Sequence, residues 1–144
     1  MNDRYLYRAK RTDNGEWVEG SLITGVFLRL GQDIPYILCP DKADYDCFDD
    51  FTEENGIFEV DPFTICQCTG LKDKNGKLIW ENDIMVAHLD DRFPEDATYT
   101  RVVWNNNGFY TKESGSDDIL PLDEFDQKYF EVCGSIFDNP ELLE

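Results

Sequence analysis

A chain of 144 residues with 41% hydrophobic and 14% aromatic content holds enough apolar material to fold as one domain or two small lobes, which excludes the disordered class. Its net charge of −18 is shared between residues 1–66 (−8) and 67–144 (−10), so neither half carries the positive field of a phosphate-backbone or anionic-membrane binder. Cys39, Cys47, Cys66, Cys68 and Cys133 make an odd count, no apolar run nears the roughly 20 residues of a membrane span, and MNDRYLYRAKR lacks a signal-peptide core; a cytosolic protein with reduced thiols is expected.

The first expected strand runs from Tyr5 to Arg11, and Asn14-Gly15 returns the chain into a second over Glu16 to Ile23. Asn and Gly tolerate the positive φ that a two-residue type I′ loop needs at both central positions, so Asn-Gly between aromatic and β-branched runs signals a hairpin. Further strands are expected over Thr24 to Leu30 and Pro35 to Cys39, split by a turn at Gly31-Gln32-Asp33. From 40 to 55, seven acids enclose Tyr45, Cys47, Phe48 and Phe51, and like charge at that density opposes a long helix; an exposed acidic loop is expected.

Ile57 to Val60 is expected as a strand and Asp61-Pro62-Phe63-Thr64 as a turn. Ile65 to Thr69 then enters the central hairpin, where Asn75-Gly76 joins Leu71 to Leu78-Ile79-Trp80, with Lys72, Asp73, Lys74 and Lys77 keeping the turn in water. Glu81-Asn82-Asp83 passes the chain to a strand over Ile84 to His88. Tyr99 to Trp104 and Phe109 to Lys112 form a third hairpin about Asn105-Asn106-Asn107-Gly108, and short strands at this spacing predict a small closed barrel. Leu120 to Phe125 suits a helical turn, Phe130 to Phe137 a last strand, and Asp138-Asn139-Pro140-Glu141 opens a short C-terminal helix.

Three stretches resemble the YopX family of bacteriophages and prophages: YRAKRTDNGEWVEGSLI, VDPFTICQCTGLKDKNGKLIWENDIMV and YFEVCGSIFDNPELL, which together span nearly the whole chain. The family usually shows Glu-Gly-Asp where this chain has Glu81-Asn82-Asp83, and Asn also accepts left-handed geometry; it usually has Gly where this chain has Cys66. The resemblance implies a mainly-β protein containing an SH3-type barrel, and it implies no catalytic residues. The expected organisation is an N-terminal β lobe over 1–66, carrying the acidic loop 40–55, joined to an SH3-like barrel lobe over 67–144 and a short C-terminal helix, the two lobes standing apart or sharing one domain.

Candidate chemistry is sparse. His88 is the lone histidine and has no companion ligand or nucleophile at a useful spacing. Cys66-x-Cys68 places both thiols on one side of a strand, without the turn and second pair of a zinc site. Neither the acids of 44–55 nor Asp73-Lys74-Asn75-Gly76 fits a calcium loop, and no phosphate-cradling glycine motif occurs. No catalytic, cofactor-binding or metal-ligating residue is therefore assigned, and no cofactor is expected. The candidates for interaction are aromatic: Trp17, Trp80 and Trp104, and Tyr5 and Tyr7 beside Arg4, Arg8, Lys10 and Arg11.

The leading expectation is a non-enzymatic accessory protein of phage or prophage origin, acting in the bacterial host cytosol through a protein partner or by self-assembly. Two alternatives come from other classes. One is a nucleic-acid accessory protein, built on the barrel and the basic aromatic strand Tyr5 to Arg11, although the charge opposes direct nucleic-acid binding. The other is a polyanion mimic whose acidic surface occupies a host DNA-binding protein.

Overall fold

Side chains that alternate about a period of two residues organise the first half of the chain into short antiparallel strands. The computed structural model describes residues 3–24, 27–29, 32–39, 56–90, 92–93 and 95–144. The expected acidic loop 40–55 and Cys47 lie outside the described residues. The chain divides into two compact units, Met1–Gln67 and Cys68–Glu144.

In the first unit, Tyr5 belongs to a 3-10 turn, Asp3–Tyr5, and the strand proper is β1, Tyr7–Lys10. It pairs with β2, Trp17–Ile23, in register Ala9↔Val18. Among the described residues Phe27–Arg29 (β3) and Gln32–Asp33 (β4) pair with each other alone, so part of the expected turn is itself strand. Tyr36–Leu38 (β5) lies between β2 and Ile57–Glu59 (β6). Ala9, Val18, Ile37, Cys39, Phe58 and Val60 form the core, with Tyr7, Leu22 and Ile65 packed against it.

A 3-10 turn, Pro62–Thr64, fixes the end of β1. Asp61 accepts from the Phe63 amide at 3.0 Å, and Thr64 Oγ1 accepts from the Lys10 amide while donating to the Asp61 carbonyl, both at 2.8 Å. One side chain thereby takes up a strand-end donor and ties it to the turn.

The second unit takes up the strand Cys66–Lys72 (β7) from Cys68 onward and pairs it with Leu78–Trp80 (β8). Asp83–Ala87 (β9) belongs to a five-stranded antiparallel sheet, where it lies between Thr98–Asn105 (β10), the central strand, and Glu131–Ser135 (β13). Beyond β10 lie Gly108–Glu113 (β11) and Ile119–Pro121 (β12). Ile79, Met85, Ala87, Val102 and Phe130 fill the core on one face of this sheet. The helix Glu124–Tyr129 (α1) ends against that core at Phe130.

The mainly-β expectation holds, but the closed SH3-type barrel does not: the sheet is open, with β12 and β13 at its two edges. The edge of β13 is occupied by the β7–β8 turn instead of by β12. Lys74 N–H donates to the Phe130 carbonyl at 3.1 Å, and the Asp73 carboxylate accepts from Val132 N–H at 2.8 Å. At the other edge the chain leaves β12 at Pro121, a residue with no N–H to extend a ladder, and enters α1.

The Asn-Gly hairpins form without type I′ turns. In the central hairpin the Gly76 amide donates to the Asp73 carbonyl at 3.0 Å and Gly76 alone takes positive φ (82°), so Lys74-Asn75 form the turn and Gly76 a bulge. Gly15 plays the same left-handed part in the first hairpin (φ 73°). In the third it is Asn106 (φ 52°), while Gly108 already pairs with Asn105. The C-terminal helix is a single 3-10 turn, Pro140–Leu143; Asn139 is taken up by the Ser135 amide and does not cap it. Among the described residues no helix is long and apolar enough to cross a membrane.

Candidate binding cleft

On β10 and β11 the inward face begins as core and ends as a polar floor. Val102 and Phe109 join the apolar cluster, whereas Thr98, Thr100, Thr111 and Glu113 continue the same face beyond it. The far side is supplied by β12, through Leu120 and Pro121, and by the start of α1, through Asp123, Phe125 and Asp126. Leu89, Ser116, Asp118 and Phe130 complete a cleft of about 510 Å³.

A capping box sets the cleft's carboxylates. Asp123 Oδ1 accepts from the Phe125 amide and Asp126 Oδ2 accepts from the Asp123 amide, each at 3.0 Å. These bonds satisfy two of the free donors at the start of a helix. They also hold Asp126, which is 5% exposed, against the cleft wall. Burial, followed by the charge of Asp123, raises the Asp126 pKa above the ordinary carboxylate value. Thr100 is equally buried, and its hydroxyl has no hydrogen-bond partner. A buried hydroxyl left unpaired costs about 1–3 kcal/mol.

The rim is apolar and open. Leu120 is 67% exposed, and Leu89 and Phe125 are also exposed; outside the cleft the Tyr129 ring lies tilted against Phe125 at 4.8 Å between centroids, and Phe130 is 6.3 Å from Phe125.

The aromatic candidates from the sequence are scattered. In the first unit Tyr5 is exposed, Tyr7 packs on the core, and Trp17 lies under Arg8 and Lys10, their cationic ends 4.7 and 5.3 Å from its ring. In the second, Trp80 is buried, and Trp104 is half exposed in an edge-to-face contact with Phe109 at 5.1 Å. None of the five lines the cleft. The cleft residues escaped the sequence because hydroxyls on a strand look solvent-facing. The one available signal was Asp123-x-x-Asp126, a capping-box spacing next to Phe125.

The remaining candidate chemistry stays apart. His88 is exposed, its Nδ1 3.1 Å from the Asp96 carbonyl. Cys39, Cys66 and Cys68 are buried, and Cys133 is exposed with its thiol pushed up by partial burial and by the neighbouring Glu131 charge. Among the described residues no group of three or more His, Cys, Asp or Glu is placed to hold a metal ion.

No curated protein matches the chain. The crystal structure of protein EF1440 from Enterococcus faecalis is similar over 96% of each chain, with a TM-score of 0.51 and 23% identity, a likeness of fold. The family model described as YopX protein matches residues 6–144, a span that contains all three stretches singled out in the sequence. The chain therefore belongs to the YopX protein family.

Proposed function

We propose that this chain is a non-enzymatic module that binds a partner protein through the cleft of its second unit. The observation that carries the reading is the cleft's construction: an exposed apolar rim at Leu120 and Phe125 above a floor of hydroxyls and carboxylates. Exposed aromatic and aliphatic side chains around a recess are the usual anchors of protein recognition. The carboxylates Asp123 and Asp126 are committed to capping α1, which suits a fixed recognition surface better than a proton-shuttling pair. The YopX membership supports a phage or prophage setting, with the partner in the bacterial host cytosol.

The test is affinity capture from a bacterial lysate with the intact chain and with the paired variant Leu120→Ser and Phe125→Ala. A protein retained by the parent chain and lost from the variant supports the reading. Equal retention by both contradicts it. So does a turnover activity that a single carboxylate variant abolishes.

A further inference from the structure

The cleft is one-sided in charge. Glu113, Asp118, Asp123 and Asp126 line it, and among the described residues no lysine, arginine or histidine does. An acidic lining alone is common in a chain of net charge −18, but two buried groups give this one a direction. Asp126 has one oxygen engaged in the helix cap and the same carboxylate lining the recess. Thr100, 95% buried on the cleft floor, keeps a hydroxyl with no protein partner. A buried hydroxyl without a protein partner is a group that a donor from outside can satisfy.

We propose, resting on the reading of the chain as a protein-binding module, that the cleft takes a lysine or arginine side chain flanked by an apolar residue in a segment of the partner protein. The cation pairs with the Asp123 and Asp126 carboxylates, with the Thr100 hydroxyl as a neutral acceptor below them. Its methylene stem lies along Leu120 and Pro121, since long basic side chains bury their stems on apolar surface and keep the charged head with polar groups. Phe125 and Phe130 supply aromatic surface that also attracts a cation. At about 510 Å³ the recess exceeds one side chain, and the apolar neighbour occupies the remainder against Leu89 and Leu120.

The competing occupants fit less well. A calcium or magnesium ion wants six to eight oxygen ligands, and among the described residues no group of three or more His, Cys, Asp or Glu is placed to hold a metal ion. A phosphate backbone would meet four carboxylates at this lining.

The experiment uses the full chain on surface-bound pentapeptide pools, each randomised except for one fixed central residue: Arg, Lys, Gln, Glu or Leu. Three proteins are compared. These are the parent, the pair Asp123→Asn with Asp126→Asn, and a charge-matched control, Glu19→Gln with Glu95→Gln, altered at two exposed acids outside the cleft. Asparagine keeps the oxygen each cap requires, and urea unfolding confirms that the variants remain folded. The expected result is retention of the parent by Arg and Lys pools at least about tenfold over the Gln pool, as a charge-assisted hydrogen bond predicts. The preference collapses in the cleft pair and persists in the control, with apolar residues enriched beside the fixed cation. Absence of a cation preference overturns the proposal, as does an equal loss in the control, which would assign the effect to net charge. Either result leaves the module reading standing if Leu120→Ser with Phe125→Ala still removes a captured partner. Retention on a sixth surface bearing a random single-stranded DNA, above that on every peptide pool, overturns both.

Discussion

The buried carboxylate of Asp73 accepts the amide proton of Val132 at 2.8 Å, tying the central turn to a strand 59 residues further along the chain. Its other oxygen takes the amides of Asn75 and Lys77, each at 2.9 Å. Three donors therefore rest on one side chain, and it shapes the turn and occupies the edge of β13 at once.

Asp73→Ala is expected to remove this hub and to destabilise the second unit by about 3 kcal/mol, because it strands three amides and a sheet edge together. Urea unfolding read by hydrogen-exchange protection of the β9 and β13 amides measures it. A loss no larger than that of an exposed acid such as Glu95 would remove the hub role.

Gly20 in β2 leaves no room for a side chain, since an added Cβ would overlap the backbone carbonyl of Leu38 in the neighbouring β5. Backbone cannot swing aside as a side-chain tip can, so Gly20→Ala should cost about 3 kcal/mol and loosen the first unit first. Hydrogen exchange is the readout: amides of β2 and β5 are expected to lose protection while β9 and β10 keep theirs.

Asn82 sits at φ 69° between Trp80 and Asp83, where its amide donates to the Val102 carbonyl at 2.8 Å. Asn82→Gly is expected to be near neutral, and Asn82→Val to cost about 2 kcal/mol, because β-branched side chains fit the left-handed region poorly. Thermal melts of the two variants should differ in that order.

At Thr100 the expected sign is reversed. Thr100→Val removes a hydroxyl that has no partner while keeping the shape, so stability should stay level or rise by about 1 kcal/mol. A marked loss in chemical denaturation would mean that the hydroxyl is bonded in solution.

Asp126 gives a pH dependence. Burial, then the Asp123 charge, raises its folded pKa above the ordinary aspartate value of 3.8, so between those two values the folded chain binds more protons than the unfolded one. Stability contributed at this site is therefore present at low pH and lost as pH rises through the folded pKa. Asp126→Asn should be more stable than the parent at neutral pH, with the difference shrinking as pH falls below the ordinary carboxylate range. Unfolding curves collected at several pH values test the sign.

Strand order along the chain was legible because turn chemistry is local. Gly15 and Gly76 do sit at positive φ, and Asn82 accepts the left-handed geometry read from its place between Glu81 and Asp83. What was not legible depends on distant partners. Asp73 among three lysines looks solvent-facing until Val132 arrives to use it. Closure of the sheet into a barrel was equally a long-range matter, decided by which group fills the edge of β13. The turn type failed for a smaller reason: a single positive φ at Gly76 suffices once Lys74-Asn75 make the bend. The cleft combines both difficulties, since its hydroxyls come from β10 and β11 and its carboxylates from a cap some twenty residues away in sequence.

The most direct test of the cleft as a cation-binding surface follows backbone amide resonances of the intact chain during titration with acetyl-Leu-Arg-Leu-amide. Saturable shifts at Thr98, Thr100, Thr111, Asp123 and Phe125, absent with the glutamine counterpart of the same peptide, are the predicted result. Shifts that never saturate, or that fall instead around Arg8 and Trp17, would contradict it.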